Sequence, residues 1–288
     1  MRVIVGIFIF CIVLFIYIHV YYQLKTSNDK EIYILDKPNK KRLEEVANIR
    51  QPFSFKYDTN APVLEFTGEH LNIRTTDHTK EDEEMYLPLS FADAKKLLSK
   101  ESKYITENNT DLPLYNHVKE IDEYLRPSLL MKSKIDYWSG SMNTRTPLRH
   151  FIHFRNYLYV VDGEIKIKLI KPIADLEKIS DYDYLEFRTH TNPWMEEIPD
   201  AMEIVAKKGD MVFIPAYWWN SVQYGASSKA VFFQYQTYTS AIAVSPHLVR
   251  HFLQQQNIKH RTLKKMELVI PEEKPEKKEE SEASVIKK

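Results

Sequence analysis

Histidines and carboxylates are the side chains best suited to metal binding or proton transfer. His150 and His153 stand three residues apart in "TPLRHFIHFRNYLYVVDG", Thr146 to Gly163. On a helix that spacing brings two imidazoles to one face. On a strand it sends them to opposite faces, which leaves His153 an exposed or edge histidine. Glu186, His190, Glu196 and Glu197 follow on a long connection, where charged groups are solvated. The run Tyr217, Trp218 and Trp219 serves either as core packing or as a platform for a ligand. A base at His150 needs a carboxylate or tyrosine beside it, and no spacing supplies one. The only cysteine, Cys11, lies in an apolar N-terminal run, so the rest of the chain has neither a disulfide nor a thiolate metal site.

The elements that must position these groups alternate with period two. In "HFIHFRNYLYVV", His150, Ile152, Phe154, Asn156, Leu158 and Val160 share one face of a strand, and His153, Arg155, Tyr157 and Tyr159 the other. The alternation continues across Asp162-Gly163, which predicts a hairpin with Ile165, Ile167 and Leu169 inward and Lys166 and Lys168 outward. "MEIVAKKGDMVFIPAYWWNSVQYG" predicts two more strands about a Lys-Gly-Asp turn, and "AVFFQYQTY" another. Many short antiparallel strands predict a sandwich or jelly roll. Upstream, "KPNKKRLEEVANIR" predicts a short helix and "QPFSFKY" a first strand. Ser90 with Asp93 caps a helix starting near Phe91, packed through Phe91, Ala94, Leu97 and Leu98. Ser245-Pro246 starts a C-terminal helix whose Leu248, Phe252 and Ile258 are candidates for packing on the barrel or on a partner.

Lys+Arg and Asp+Glu balance at 40 each, so no positive field draws the molecule to nucleic acid. With 18 Tyr, 14 Phe and 4 Trp, the 288 residues hold ample apolar surface for one folded domain. Residues 3–22 form an unbroken apolar run, and a helix of that length crosses a hydrocarbon core of about 30 Å. It exceeds the usual apolar stretch of a signal peptide and no small-x-small cleavage site follows it, so it predicts a membrane anchor. Lys25, Lys30, Lys37, Lys40, Lys41 and Arg42 follow it and predict a cytosolic C-terminal domain. The sequon at Asn108 matters only in the opposite orientation.

Two signatures, "TPLRH…RNYLYVVDGEIKIKLIKP" and "GDMVFIPAYWWNSV", resemble the cupin-like, JmjC-type branch of the iron and 2-oxoglutarate dependent oxygenases, over roughly Gln51 to Gln256. A divergent membrane-anchored group encoded by large DNA viruses is more similar still, on Arg155-Asn156-Tyr157, "LEFRTHTNPW" and "IPAYWW". The resemblance implies a mainly β double-stranded β-helix (cupin, jelly-roll) with flanking α-helices behind an N-terminal transmembrane helix. Together with the apolar run and the charged ends, the resemblance divides the chain into an anchor at 1–24, a charged juxtamembrane linker at 25–48, the cupin-like domain at 49–262 and a charged disordered tail at 263–288. It also implies a facial triad in which His150 matches the first iron ligand. Ile152 then occupies the carboxylate position and Asn220 that of the second histidine. Ile165 takes the place of the basic residue nine positions after the asparagine that matches Asn156, and Lys166 and Lys168 point away. With two of three ligands replaced, the expectation is a degenerate pocket of His150, Ile152, Asn156, Ile165 and Asn220, with no cofactor and no catalysis. The chain then acts as a membrane-held binding or structural module, with a protein partner or a second copy on its C-terminal helix. The alternatives are an iron and 2-oxoglutarate dependent hydroxylase with an atypical site and a metal-free sugar-modifying cupin.

Overall fold

The computed structural model describes residues 2–27, 29–58, 67–75, 87–100, 103–113, 115–173, 176, 181–183, 186–189 and 191–258. The tail from 263 and His190 lie outside them, as do the side chains of Glu186 and Ile258. Helix α1, Arg2–Leu24, carries the apolar run. Short strand β1, Tyr33–Leu35, precedes α2, Lys40–Ile49, and pairs in parallel with β2, Phe53–Lys56. Asn39 caps α2 by accepting from the Arg42 amide at 2.8 Å. Next come β3, His70–Thr75, β4, Leu87–Ser90, α3, Phe91–Lys100, and β5, Tyr104–Thr106. Helix α4, Asn116–Leu125, leads into the long strand β6, Leu130–Gly140. The α2, α3 and "QPFSFKY" elements form where expected; β1, β3 and α4 are additional.

The rest is almost all strand. In chain order these are β7, Leu148–Phe151, β8, Arg155–Asp162, and β9, Glu164–Ile170. Then come β10, Asp181–Asp183, β11, Glu186–Thr189, β12, Met202–Lys207, β13, Asp210–Pro215, β14, Trp219–Tyr224, and β15, Lys229–Thr237. Helix α5, Tyr238–Ala243, and helix α6, Ser245–Ile258, follow. One sheet has the order β1-β2-β13-β8-β15-β6-β5-β3-β4 and the other β10-β11-β7-β14-β9-β12.

Successive strands change sheets: β7 and β9 belong to one, β8 to the other, and β12, β13, β14 and β15 alternate likewise. This is the double-stranded β-helix, and it corrects the expected hairpin. β8 pairs with β13 and β15, whereas β9 pairs with β12 and β14, so Asp162-Gly163 is a corner between sheets. The physical reason is burial. β8 is buried on both faces, and a strand with two apolar faces needs neighbours in a central position, whatever turn ends it. "MEIVAKKGDMVFIPAYWWNSVQYG" likewise makes three strands, one of them on the opposite sheet.

Three packed layers result. Between the sheets lie Trp138, Phe151, Leu158, Val160, Ile165, Ile167, Leu169, Trp218, Val222 and Phe232, all buried. Outside the larger sheet, Tyr157, Tyr159, Phe213 and Phe233 pack against Leu43 and Val46 of α2, Leu97 of α3 and Val118 and Ile121 of α4. Outside the smaller sheet, Leu148, Ile170 and Trp219 gather with Phe187 and Ile198. Lys168 on that outer face reaches the Pro193 carbonyl at 2.9 Å and the Trp194 ring, so its predicted outward direction matches the structure, as does the inward Ile165, Ile167 and Leu169 set.

Candidate functional site

The mouth of the barrel is built where β7 gives way to β8. The expected single strand through "HFIHFRNYLYVV" is instead broken at residues 152–154, and the break moves the chain from the smaller sheet to the larger. Alternation holds only within a strand, so the irregular residues 152–154 let β8 present the opposite parity from β7. In β8 the inward residues are Asn156, Leu158 and Val160, as expected; in β7 they are Arg149 and Phe151.

His150 therefore points out of the barrel. Its ring stacks on Phe187 at 4.6 Å and meets the edge of Trp219 at 4.5 Å, on the face that also carries Leu148. Ile152 is buried in the connection itself, in a recess shared with Arg50, Phe154, Tyr217, Ser240 and Val244 that has room for about one water molecule. Asn156, Ile165 and Asn220 do face the interior, at different depths. The expected pocket is thus divided among three places: barrel interior, outer face and connection.

Arg149, which the alternation pattern assigned to no role, occupies the inward position. Its guanidinium forks onto Glu107, just past β5, with Nη1 to Oε2 at 2.8 Å and Nη2 to Oε1 at 2.5 Å. Both side chains are 2% exposed, so this ion pair joins the two sheets in a water-poor setting. The guanidinium also lies 4.8 Å from the Trp138 ring centre and 5.3 Å from that of Phe151. Next to it Asp136 accepts from the Trp138 indole at 2.9 Å and from the Asn108 and Asn109 amides at 2.9 and 2.7 Å. Burial pushes the Asp136 carboxyl up, and Lys134, the indole and the Asn109 amide pull it back.

The amide nitrogens of Asn220 and Asn156 are committed to backbone. Asn220 donates through Nδ2 to the carbonyls of Arg149 at 3.0 Å and Trp218 at 3.2 Å. Asn156 donates to the Ile214 carbonyl at 3.1 Å and accepts from Gln234 at 3.3 Å, and Gln234 also meets His153 Nδ1 at 3.1 Å. His153 is half-buried in that network rather than exposed. Trp218 packs inside the barrel and Trp219 outside it, so with Tyr217 they form no single platform. Tyr217 alone borders the recess, in the left-handed region at φ 66, with its hydroxyl pushed up to about 12 by burial and drawn down by Arg50. Glu196 and Glu197 are exposed.

Among the described residues, no group of three histidine, cysteine, aspartate or glutamate side chains converges as metal ligands would. The sequence held one signal for Arg149: an arginine inside a strand of the core must be paired if it is buried. Its partner, Glu107, lies 42 positions away and cannot be found from spacing.

No curated protein matches the chain. The strand order of the two sheets is that of the fold the sequence resembles, and the family model for the cupin-like domain matches residues 21–241, which spans the end of α1, the whole barrel and most of α5; the chain belongs to the cupin-like domain family.

Proposed function

We propose that this protein is a membrane-anchored cupin-like domain that works as a binding or structural module and does not catalyse oxygen chemistry. One observation carries the proposal: the inward positions at the barrel mouth hold the Arg149–Glu107 pair, Phe151 and Asn220. A facial triad needs three lone-pair donors on one face of Fe(II). A guanidinium stays protonated and has no lone pair to give, and its charge repels a cation. Glu107 is held by that guanidinium, and the Asn220 amide offers a single neutral oxygen. These residues do not fit iron.

The apolar helix α1 supports the anchor: it is long and apolar enough to cross a membrane, with none of its apolar window buried against the domain. The six basic residues from Lys25 to Arg42 favour a cytosolic barrel. The same proposal assigns the chain to a host or virion membrane, on the likeness of its Arg155-Asn156-Tyr157 and "IPAYWW" segments to the viral membrane-anchored group.

The test uses the full-length chain in detergent, purified without chelator and exposed to Fe(II) and 2-oxoglutarate under controlled oxygen. The expected outcome is substoichiometric iron by elemental analysis and no succinate above background. One iron per chain together with succinate formation would reverse the proposal in favour of a hydroxylase.

A further inference from the structure

Helix α5 lies against the end of α1. Along α1, residues 2–18 are exposed, and burial begins only at His19, Val20 and Gln23, which share one face of the last turns. If residues 3–22 fill the hydrocarbon core, the contact strip from His19 to Gln23 rises only about 6 Å along the axis and sits at the bilayer edge. Helix α5 is therefore held at headgroup level, and α6 begins one residue after Val244.

Both helices carry an apolar stripe turned away from the barrel. On α5, Tyr238 and Ile242 are 61% and 57% exposed; on α6, Val249, Phe252 and Leu253 are 58%, 58% and 56% exposed. The spacings i, i+4 and i, i+3, i+4 put each set on one face. The opposite faces, with Ser240, Ala241 and Ala243 on α5 and the half-buried His247 and His251 on α6, turn toward the domain, where His247 meets the Phe187 ring edge-on. Five exposed large apolar side chains on two consecutive helices, the first of them packed on α1, are costly in water. The sequence continues past α6 with Lys259, Arg261, Lys264 and Lys265, a charge pattern that suits anionic lipid.

The geometry points to α5 and α6 lying in the bilayer interface on the barrel's side, with Tyr238, Ile242, Val249, Phe252 and Leu253 inserted at the boundary between headgroups and acyl chains. The barrel is then seated on the membrane rather than tethered above it. This rests on α1 spanning the membrane.

The experiment uses full-length chain in nanodiscs of phosphatidylcholine and phosphatidylserine, with an environment-sensitive fluorophore on one cysteine at a time. The positions are native Cys11, and, in a Cys11→Ser background, Ile242→Cys, Phe252→Cys and Ala226→Cys. Ala226 is exposed in the turn before β15, about 26 Å along that strand from the start of α5. Nitroxide lipids should quench Cys11, Ile242→Cys and Phe252→Cys several-fold and leave Ala226→Cys bright. Quenching at Cys11 with the α5 and α6 labels reached only by aqueous iodide would overturn the proposal and leave the anchor standing. So would α5 and α6 labels shielded from both quenchers, which would mean that a protein surface covers them. A Cys11 label untouched by nitroxide lipid would instead remove the spanning helix, and the interfacial seat with it.

Discussion

Arg149 decides more than any other single residue. A charge 2% exposed is tolerated only when paired and hydrogen-bonded, and Glu107 meets both requirements through two parallel bonds. Desolvation of two ions offsets much of their attraction, so the pair holds the sheets in one arrangement more than it adds net stability. Arg149→Met should destabilise the barrel by about 3–5 kcal/mol, because it takes a bidentate guanidinium away from a buried carboxylate. Arg149→Met with Glu107→Leu should recover most of that loss, since an apolar pair of similar volume is close to neutral. Urea unfolding of both variants checks this. A single variant as stable as the parent would mean that Glu107 finds water or another partner and that the pair does not close the mouth.

At the level of elements, the corners between sheets define the fold. Gly163 takes φ +74, and a Cβ there would lie 2.8 Å from the Ser228 Cα and 3.0 Å from the Ala226 carbonyl. Gly163→Ala should cost about 1–3 kcal/mol through the strained backbone and the clash, while Lys166→Ala, on the outward side of β9, should change stability by less than about 0.5 kcal/mol. Thermal unfolding of the two compares them directly, and equal melting temperatures would mean that the corner is free to rearrange. Asp162-Gly163 also marks how far the sequence could be read. The dipeptide announces a turn, and the alternation in "EIKIKLI" places Ile165, Ile167 and Leu169 inward. Neither says which strand is the hydrogen-bonding neighbour, because that depends on apolar faces far apart in sequence meeting across the core. The same limit explains His150. Period two predicts a face correctly within β8, but the three-residue break before it resets the parity, and no local signal in "HFIHF" announces a break. A capped helix such as α3 was legible because Ser90, Asp93 and the helical spacing of Phe91, Ala94, Leu97 and Leu98 act locally.

For the whole molecule, the question is how a barrel is joined to a helix that stands outside it. Arg50 ends α2 in the left-handed region at φ 62, which aims its side chain back toward the N-terminal segment. There Nη1 donates to the Gln23 carbonyl at 2.7 Å and to that of Lys25, while the guanidinium lies 5.0 Å from the Tyr22 ring centre. The last carbonyls of a helix lack internal partners and carry partial negative charge, so a buried cation is a fitting cap for α1. Gln51 continues the join, donating to the Asp29 and Glu31 carbonyls and accepting from Ser27 at 2.5 Å. The connection from α1 to the barrel is therefore fixed by side chains from one short stretch, and its stiffness is what would keep α5 at the bilayer edge. Arg50→Met keeps the bulk of the side chain and removes bonds to charge worth about 1.5–3 kcal/mol each. In nanodiscs, trypsin should cut after Lys25 and Lys30 several-fold faster in this variant than in the parent, and combining it with Gln51→Ala should accelerate cutting further. The urea midpoint of the barrel should move less, because the bonds removed run to the Gln23 and Lys25 carbonyls and not to the strands. Unchanged cleavage in both variants would mean that the join is held by α5 alone and that Arg50 serves only to end α2.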